Sequence, residues 1–492
     1  MQKASNEGSS AVKSAALAVG LLMAGAAIAP LSTPVSAADL GGDCCADLEE
    51  RVAELEATTA RKGNRKVSLT ISGWVANQIM WYDNGPASNA YVTGIGSTLN
   101  SHVTFTGAAQ ITKDWNAGYV LQLETGTSDP LTAGNTAFNA EGPSGLHIVK
   151  NHGAFVTNSV DVLYSYWFLK SDQLGKVSVG SIPQSSSHAA ALVDGSGSLI
   201  PANWVPLDGM AINLARHGRQ LQLPNTGFPQ GALMWCGTTQ LPLAGDCNGV
   251  PLNGIRYDSP TFGGFSVSAS WGEDDFWDVT GNYAGQLGSF KFATAISYLE
   301  NRDENNSPGF NDAVGLSAFN PLKTDAQYLQ IGAYLEHVPT GLFVYGAYGK
   351  EWNNNVYNPA TLDAAFGAGT AALVTANQPS GDNWYIKAGM REKWTPLGHT
   401  VLYGEYGDRQ DMFHEALTAF GVDGSDMTQW GLGAVQEIDA AAMSLWVNFK
   451  QYQPTLSGPG SATPGYINNG GESLTGKFDN INVFTAGALI SF

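Results

Sequence analysis

The sequence predicts an all-β protein, a transmembrane antiparallel β-barrel of about sixteen strands with a short periplasmic helix ahead of the first one. Three observations carry this. Between Trp115 and Phe492 short segments alternate apolar and polar residues, the connections between them switch between tight and long, and no apolar run of helix length follows the amino-terminal segment. In lipid every backbone N–H and C=O must be paired internally, so only helices or closed barrels can span. A barrel remains.

Composition agrees. Charged residues make up 14% of the 492, well below the roughly 25% usual in soluble proteins. The mean hydropathy is only -0.10, as expected when one strand face meets lipid and the other lines water. Lys3 and Lys13, the apolar stretch Ala15–Ala29 and Val35-Ser36-Ala37 mark a secretory signal over 1–37, cleaved after Ala37. A lipoprotein anchor is the rival, but Asp43 before Cys44 is a poor fit to the small residue such processing needs. Removing Lys3, Lys13 and Glu7 from 24 basic and 43 acidic residues leaves 22 against 42, a net charge of -20. The pI of about 4.7 argues against nucleic acid. The acidic excess is either a solvated exterior or a field favouring cations at the mouth of a pore.

In 38–65, Cys45, Leu48, Val52 and Leu55 recur at spacings of three and four among glutamates, a coiled-coil-like seam or a solvated amphipathic helix. The barrel follows over 66–492. Its strands are Lys66–Tyr82, Leu99–Thr112, Trp115–Thr125, Val160–Leu169, Gly175–Ile182, Leu252–Pro260, Phe265–Gly272 and Val279–Leu287. They continue with Phe290–Leu299, Ala326–His337, Leu342–Glu351, Asn383–Trp394, His399–Asp408, Thr428–Ile438, Ala441–Gln451 and Asn480–Phe492. Tight connections such as Lys113-Asp114, Gly288-Ser289 and Asp439-Ala440 fall where an even strand meets an odd one. Gly126–Ser159, Asn301–Asp325 and Trp352–Asp382 are long and fall on the other side, with Glu273–Asp278 as the one short exception. Tight periplasmic turns and long extracellular loops produce this asymmetry.

Within strands the period is two: Leu69, Ile71 and Val75, or Leu445, Val447 and Phe449, alternate with polar residues and are expected to face lipid. Trp74, Trp81, Trp115, Tyr166, Trp167, Trp394, Tyr403, Tyr406 and Trp430 near strand ends read as interfacial girdles. Cys236 and Cys247 lie in one long Gly/Pro-rich segment in an oxidising compartment, where a disulfide would close about a dozen residues and contribute roughly 3 kcal/mol. Cys44 and Cys45 are neighbours, so free thiols and intermolecular bridges stay open.

The run from Asn253-Gly254-Ile255-Arg256-Tyr257-Asp258-Ser259-Pro260 through Thr261-Phe262-Gly263-Gly264 to Phe265-Ser266-Val267-Ser268-Ala269-Ser270-Trp271-Gly272-Glu273-Asp274 resembles the strand–turn–strand segment of Gram-negative porins, especially the alphaproteobacterial porin family. Phe484, Ala486, Ala488, Ile490 and Phe492 resemble the porins' carboxy-terminal signal. The resemblance implies a homotrimer in the cell outer membrane, contacting the lipid bilayer and lipopolysaccharide. It implies that the barrel assembly machinery reads Phe492, and that the third extracellular loop folds inward to constrict the lumen.

That third loop is Pro183–Pro251, by far the longest, and loops of such length are usually functional. It offers Asp194, Asp208, Arg216, His217 and Arg219 to a constriction over 183–251, while parity puts Arg256, Asp258, Lys291, Glu336, Lys387, Arg391, Glu405 and Lys450 on lumen positions. These could set a transverse field on passing solutes, or be paired charges that brace the wall. No cofactor or metal is expected: the eight histidines, among them His102, His147, His152, His188, His217 and His337, show no ligand or triad spacing. Gly471-Glu472-Ser473-Leu474-Thr475-Gly476-Lys477-Phe478 only approaches a phosphate loop, with Phe478 where Ser or Thr would hold magnesium. The expectation is a water-filled channel for passive diffusion of ions and small hydrophilic solutes, not an enzyme; a channel selective for sugars or anions is the alternative.

Overall fold

The computed structural model describes residues 67–96, 99–125, 147–148, 155–156, 160–206, 208–209, 212–220, 251–272, 275–302, 322–366, 368–376, 380–459 and 474–492. The signal segment, the 38–65 helix and both members of the Cys236/Cys247 pair fall outside them. Sixteen antiparallel strands close into one barrel. They are β1 Ser68–Asp83, β2 His102–Gln110, β3 Trp115–Thr125, β4 Val160–Ser171, β5 Gly175–Ile182, β6 Leu252–Asp258, β7 Phe265–Gly272 and β8 Trp277–Leu287. Then come β9 Phe290–Asn301, β10 Ala326–His337, β11 Leu342–Asn353, β12 Asp382–Thr395, β13 Gly398–Gln410, β14 Gly424–Ile438, β15 Met443–Ser457 and β16 Ile481–Ser491. Among the described residues no helix is long and apolar enough to cross a membrane.

Closure is made by β1 and β16, which pair from Trp74↔Ser491 to Asp83↔Asn482. The main chains of Gly73 and Phe492 exchange two hydrogen bonds of 3.1 Å, so the final residue seals the seam. Every strand then has two neighbours and no edge meets hydrocarbon.

The outer face follows the alternation read from the sequence. Val75, Ile79, Ile296, Ile386, Leu432 and Val447 are exposed and apolar. Three aromatic expectations fail, because Trp74, Tyr166 and Tyr403 point inward and are buried, whereas Trp81, Trp115, Trp167, Trp394 and Tyr406 stand on the outer surface. Proximity to a strand end does not decide the face; parity does.

The second strand also departs from expectation. Ser88–Thr93 folds straight back on β1, from Gln78↔Thr93 to Asp83↔Ser88, before the chain breaks away and resumes as β2 against the lower half of β1. Asn84-Gly85-Pro86 makes this possible: Asp83 Oδ1 accepts the Gly85 N–H at 2.8 Å, Asn84 Oδ1 accepts that of Ala87 at 3.2 Å, and Gly85 takes φ 94°. Between the two pieces Ile95 and Leu99 turn into the barrel, where Trp74 Nε1 donates to Leu99 O at 2.9 Å. At the same end, β14 and β15 run several residues beyond the predicted Thr428 and Gln451. The long 352–382 connection carries two helices, α2 Pro359–Phe366 and α3 Thr370–Ala376. Burial there pushes the Tyr357 hydroxyl well above its ordinary range.

Candidate functional site: the loop inside the barrel

After Ile182 the chain leaves the wall and enters the barrel. Residues 183–191 are small and polar and then alanine, which suits a segment wedged between strands: α1, Ala189–Leu192, lies against β9, β10 and β11. Gly332 on β10 makes room, since a Cβ there would come within 2.3 Å of Ala190 O. This stem is pinned by polar contacts. Arg256 donates to the carbonyls of Pro183 (3.1 Å) and Gln184 (3.0 Å), and Ser185 N donates to Ser270 Oγ at 2.7 Å. The backbone and hydroxyl of Ser186 donate to Asp278 at 2.7 and 2.5 Å, Gln330 Nε2 donates to Ser186 O at 3.3 Å, and Tyr345 donates to Ala190 O at 2.9 Å.

Beyond the stem the loop crosses to the opposite arc. Asp194 meets Lys387 of β12 at 2.5 Å, both side chains fully buried, and Lys387 also donates to Ala202 O at 2.7 Å. Asn448 of β15 donates to Pro201 O at 2.5 Å, Arg409 of β13 to Trp204 O, and Lys450 of β15 to Asp208 at 3.0 Å, with Tyr452 as a second donor to that carboxylate. Ala190, Ala191, Leu199, Ala202, Trp204 and Val205 of the loop join inward residues of β1, β10 to β13 and β15 in one apolar cluster. The loop returns past β1 and β16: Asn84 donates to Asn213 O at 2.7 Å, and Asp479 N to Ala215 O at 2.7 Å.

Of the residues singled out from the sequence, Asp194, Asp208, Lys387 and Lys450 are therefore brought together as two loop-to-wall ion pairs. Glu405 stands between them, accepting from Tyr385 at 2.5 Å. Towards the tight-turn end three half-buried groups line the inner wall: Arg256–Asp258 at 2.7 Å with Lys176 at 3.3 Å, Lys291–Glu336 at 3.9 Å, and Arg391–Glu437 at 2.8 Å. Arg216 lies apart, donating to the carbonyls of Thr475 (3.0 Å) and Leu474 (3.3 Å) with its guanidinium 4.7 Å from the Phe478 ring. His217 is exposed in a left-handed turn, φ 52°, and Arg219 pairs back to Arg216 through the backbone.

His399, Glu437 and Asp439 lie close enough to share an ion. Arg391 and Lys393 already neutralise the two carboxylates, at 2.8 and 2.9 Å. The Lys393 ammonium, by hydrogen bonding to it, holds the Asp439 carboxyl below its usual range.

Sequence reasoning missed Asp278, Arg409, Tyr345, Asn448 and Glu437. Asp278 and Arg409 sit one residue outside strands drawn as Val279–Leu287 and His399–Asp408, so extending the parity by one step would have found both. The other three are inward by parity but gain meaning only from the distant loop they touch.

A family model described as Gram-negative porin matches residues 14–453. The chain belongs to the Gram-negative porins. It is an outer-membrane channel whose strands cross that membrane many times, and it serves passive diffusion of ions and small hydrophilic solutes. No curated protein matches its sequence. Among solved structures it is similar to the anion-selective porin from Comamonas acidovorans, at 14% identity over 87% of this chain and 100% of that one, TM-score 0.49. It is also similar to the Salmonella typhi OmpF complex with daunomycin, at 11% identity over 87% and 98%, TM-score 0.47. A third is the outer membrane channel DcaP of Acinetobacter baumannii, at 9% identity over 88% and 100%, TM-score 0.44.

Proposed function

We propose that this porin is a homotrimeric general-diffusion channel with a weak preference for cations, constricted by the inward part of the 183–251 loop. The observation that carries the reading is the course of that loop, which leaves the wall at Ile182 and spans the lumen to Lys387 and Lys450. Asp194 and Asp208 fix the height and position of the constriction, while Arg256, Asp258, Lys291, Glu336 and Arg391 line the vestibule below it, where water keeps charge affordable. Mixed signs there favour weak selectivity. The net charge of -19 supports cations.

Further parts of the reading rest on the sequence. The Asn253–Asp274 run supports an alphaproteobacterial porin, residues 1–37 a cleaved signal, Cys236 and Cys247 a disulfide, and lipopolysaccharide is the outer-leaflet neighbour. Phe492, hydrogen-bonded at the closing seam, is the residue the assembly machinery reads, and the paired charges along the inner wall support a channel rather than an enzyme.

Recording single channels of the purified protein in a planar bilayer tests this directly. Closure in three equal steps and a reversal potential on the cation side are expected. Saturable block by one sugar or anion would replace general diffusion with a substrate-selective channel.

A further inference from the structure

The Asp194–Lys387 contact is unlike the other ion pairs of the inner wall. Its charged atoms are 2.5 Å apart and both side chains are wholly shut off from solvent. Lys450–Asp208 stands at 3.0 Å with 4 and 10% of its side chains exposed, and Lys291–Glu336 and Arg391–Glu437 are more open still. The rings of Tyr345 and Tyr403 each lie 5.7 Å from the Lys387 ammonium and belong to the buried apolar cluster. Two charges taken this far out of water carry a desolvation penalty that their attraction hardly offsets. A neutral amide in the same place carries a much smaller one, and its formation sends a water molecule from a dry site into bulk solvent.

We propose that the Lys387 amine and the Asp194 carboxyl join in an isopeptide bond that fastens the inward loop covalently to β12. The ion pair is the state from which it forms. The nitrogen lone pair makes the new bond to Asp194 Cγ, and the Cγ–Oδ2 bond breaks. Oδ2 departs as water carrying two of the three ammonium protons, and the third stays on the amide nitrogen, so the sum is charge-neutral and calls for no further reactant. Three features of the site serve this course. Ser196 N donates to Asp194 Oδ1 at 3.0 Å, where negative charge gathers in the tetrahedral intermediate, while Oδ2 is the oxygen set against Lys387. Ala202 O accepts from Lys387 Nζ at 2.7 Å, which orients the nitrogen and suits the one proton the amide retains. Glu405 is directly opposite Lys387 on β13 and shares its inward face, where opposite residues have Cβ atoms about 5 Å apart. Tyr385 donates to it at 2.5 Å and fixes the carboxyl, which relays a proton from the nitrogen to the departing oxygen. The link joins residues 193 apart in the chain, so it also restricts the unfolded polypeptide. Nothing in it depends on what passes through the barrel.

Tryptic mapping of the full-length protein, purified from outer membranes and boiled before digestion, reads the bond directly. Segments 177–216 and 351–391 should emerge as one branched species, lighter by one water than the two together and uncut after Lys387, with fragmentation placing the junction at Asp194 and Lys387. Lys387→Arg should release 177–216 as a linear peptide. Cleavage after Lys450 should be normal, because its longer pair with Asp208 stays ionic. In protein refolded from inclusion bodies the branched species should grow with time, and Glu405→Gln should slow that growth about a hundredfold, the lower end of what a positioned acid–base group contributes. Heat-modified electrophoretic mobility checks that each variant is a folded barrel, and the wild-type map decides the bond whatever the variants do. Linear 177–216 and 351–387 from the wild type overturn it. A water lost within 177–216 alone, as a cyclic imide at Asp194-Gly195, overturns it as well. An unchanged rate in folded Glu405→Gln overturns the relay and leaves the bond standing.

Discussion

The two faces of the same wall are held to different rules. Outward residues such as Ile296 and Ile386 need only be apolar, because lipid asks nothing more specific of them. Their inward neighbours Ser297 and Lys387 face a packed interior, and Lys387 is satisfied by Asp194, which lies 193 residues earlier in the chain. Substitution outside should therefore cost a transfer energy that depends on depth alone. Substitution inside should cost whatever the loop partner loses, and that cost should vanish when the partner is removed as well.

The largest effect is expected inside. Lys387→Met leaves Asp194 buried and uncompensated, which should destabilise the folded barrel by about 3–5 kcal/mol. Denaturant unfolding in lipid vesicles measures it, and adding Asp194→Asn should return most of the loss. A purely additive double variant would break the comparison. Next comes Ile296→Arg on the outer face, at about 2–4 kcal/mol if it lies near the midplane. It should show no coupling to Asp194→Asn in the same assay. Tyr345→Phe is smaller, about 1 kcal/mol for one lost hydrogen bond to Ala190 O, and protease sensitivity near the stem should rise more than global stability falls.

How much was legible follows from this asymmetry. The barrel, the alternation and the turn pattern could be read because each depends on neighbours two residues away or on a connection's length. The inward positions of Lys387, Glu405 and Lys450 followed from parity for the same reason. Their partners did not: nothing near Lys450 announces Asp208, and nothing near Asn448 announces Pro201. Pairing across the lumen is fixed by where the loop goes, and the loop's path depends on Gly332, Gln330 and Tyr345 of β10 and β11 as well as on its own small residues. Ser88–Thr93 escaped for a related reason. Six residues beside β1 form a strand only because β1 extends to Asp83 and offers them an edge.

The smallest expected effect lies where neither face rule applies, at the exposed turn joining β14 to β15. Asp439 accepts from Lys393 at 2.9 Å, and that contact holds its carboxyl below the ordinary value. A carboxyl depressed on folding stabilises above the unfolded-state value and loses that contribution as the pH falls through the folded one. Stability should thus sag slightly in the acid carboxylate range, and Asp439→Asn should flatten that part of the profile while leaving neutral stability only a little lower. Because both side chains are solvated, salt should screen the contact, so the difference between wild type and variant should shrink from low to high ionic strength. A difference indifferent to salt would mean that Asp439 acts through the geometry of the turn, where Ala442 N donates to Asp439 O, and not through its charge.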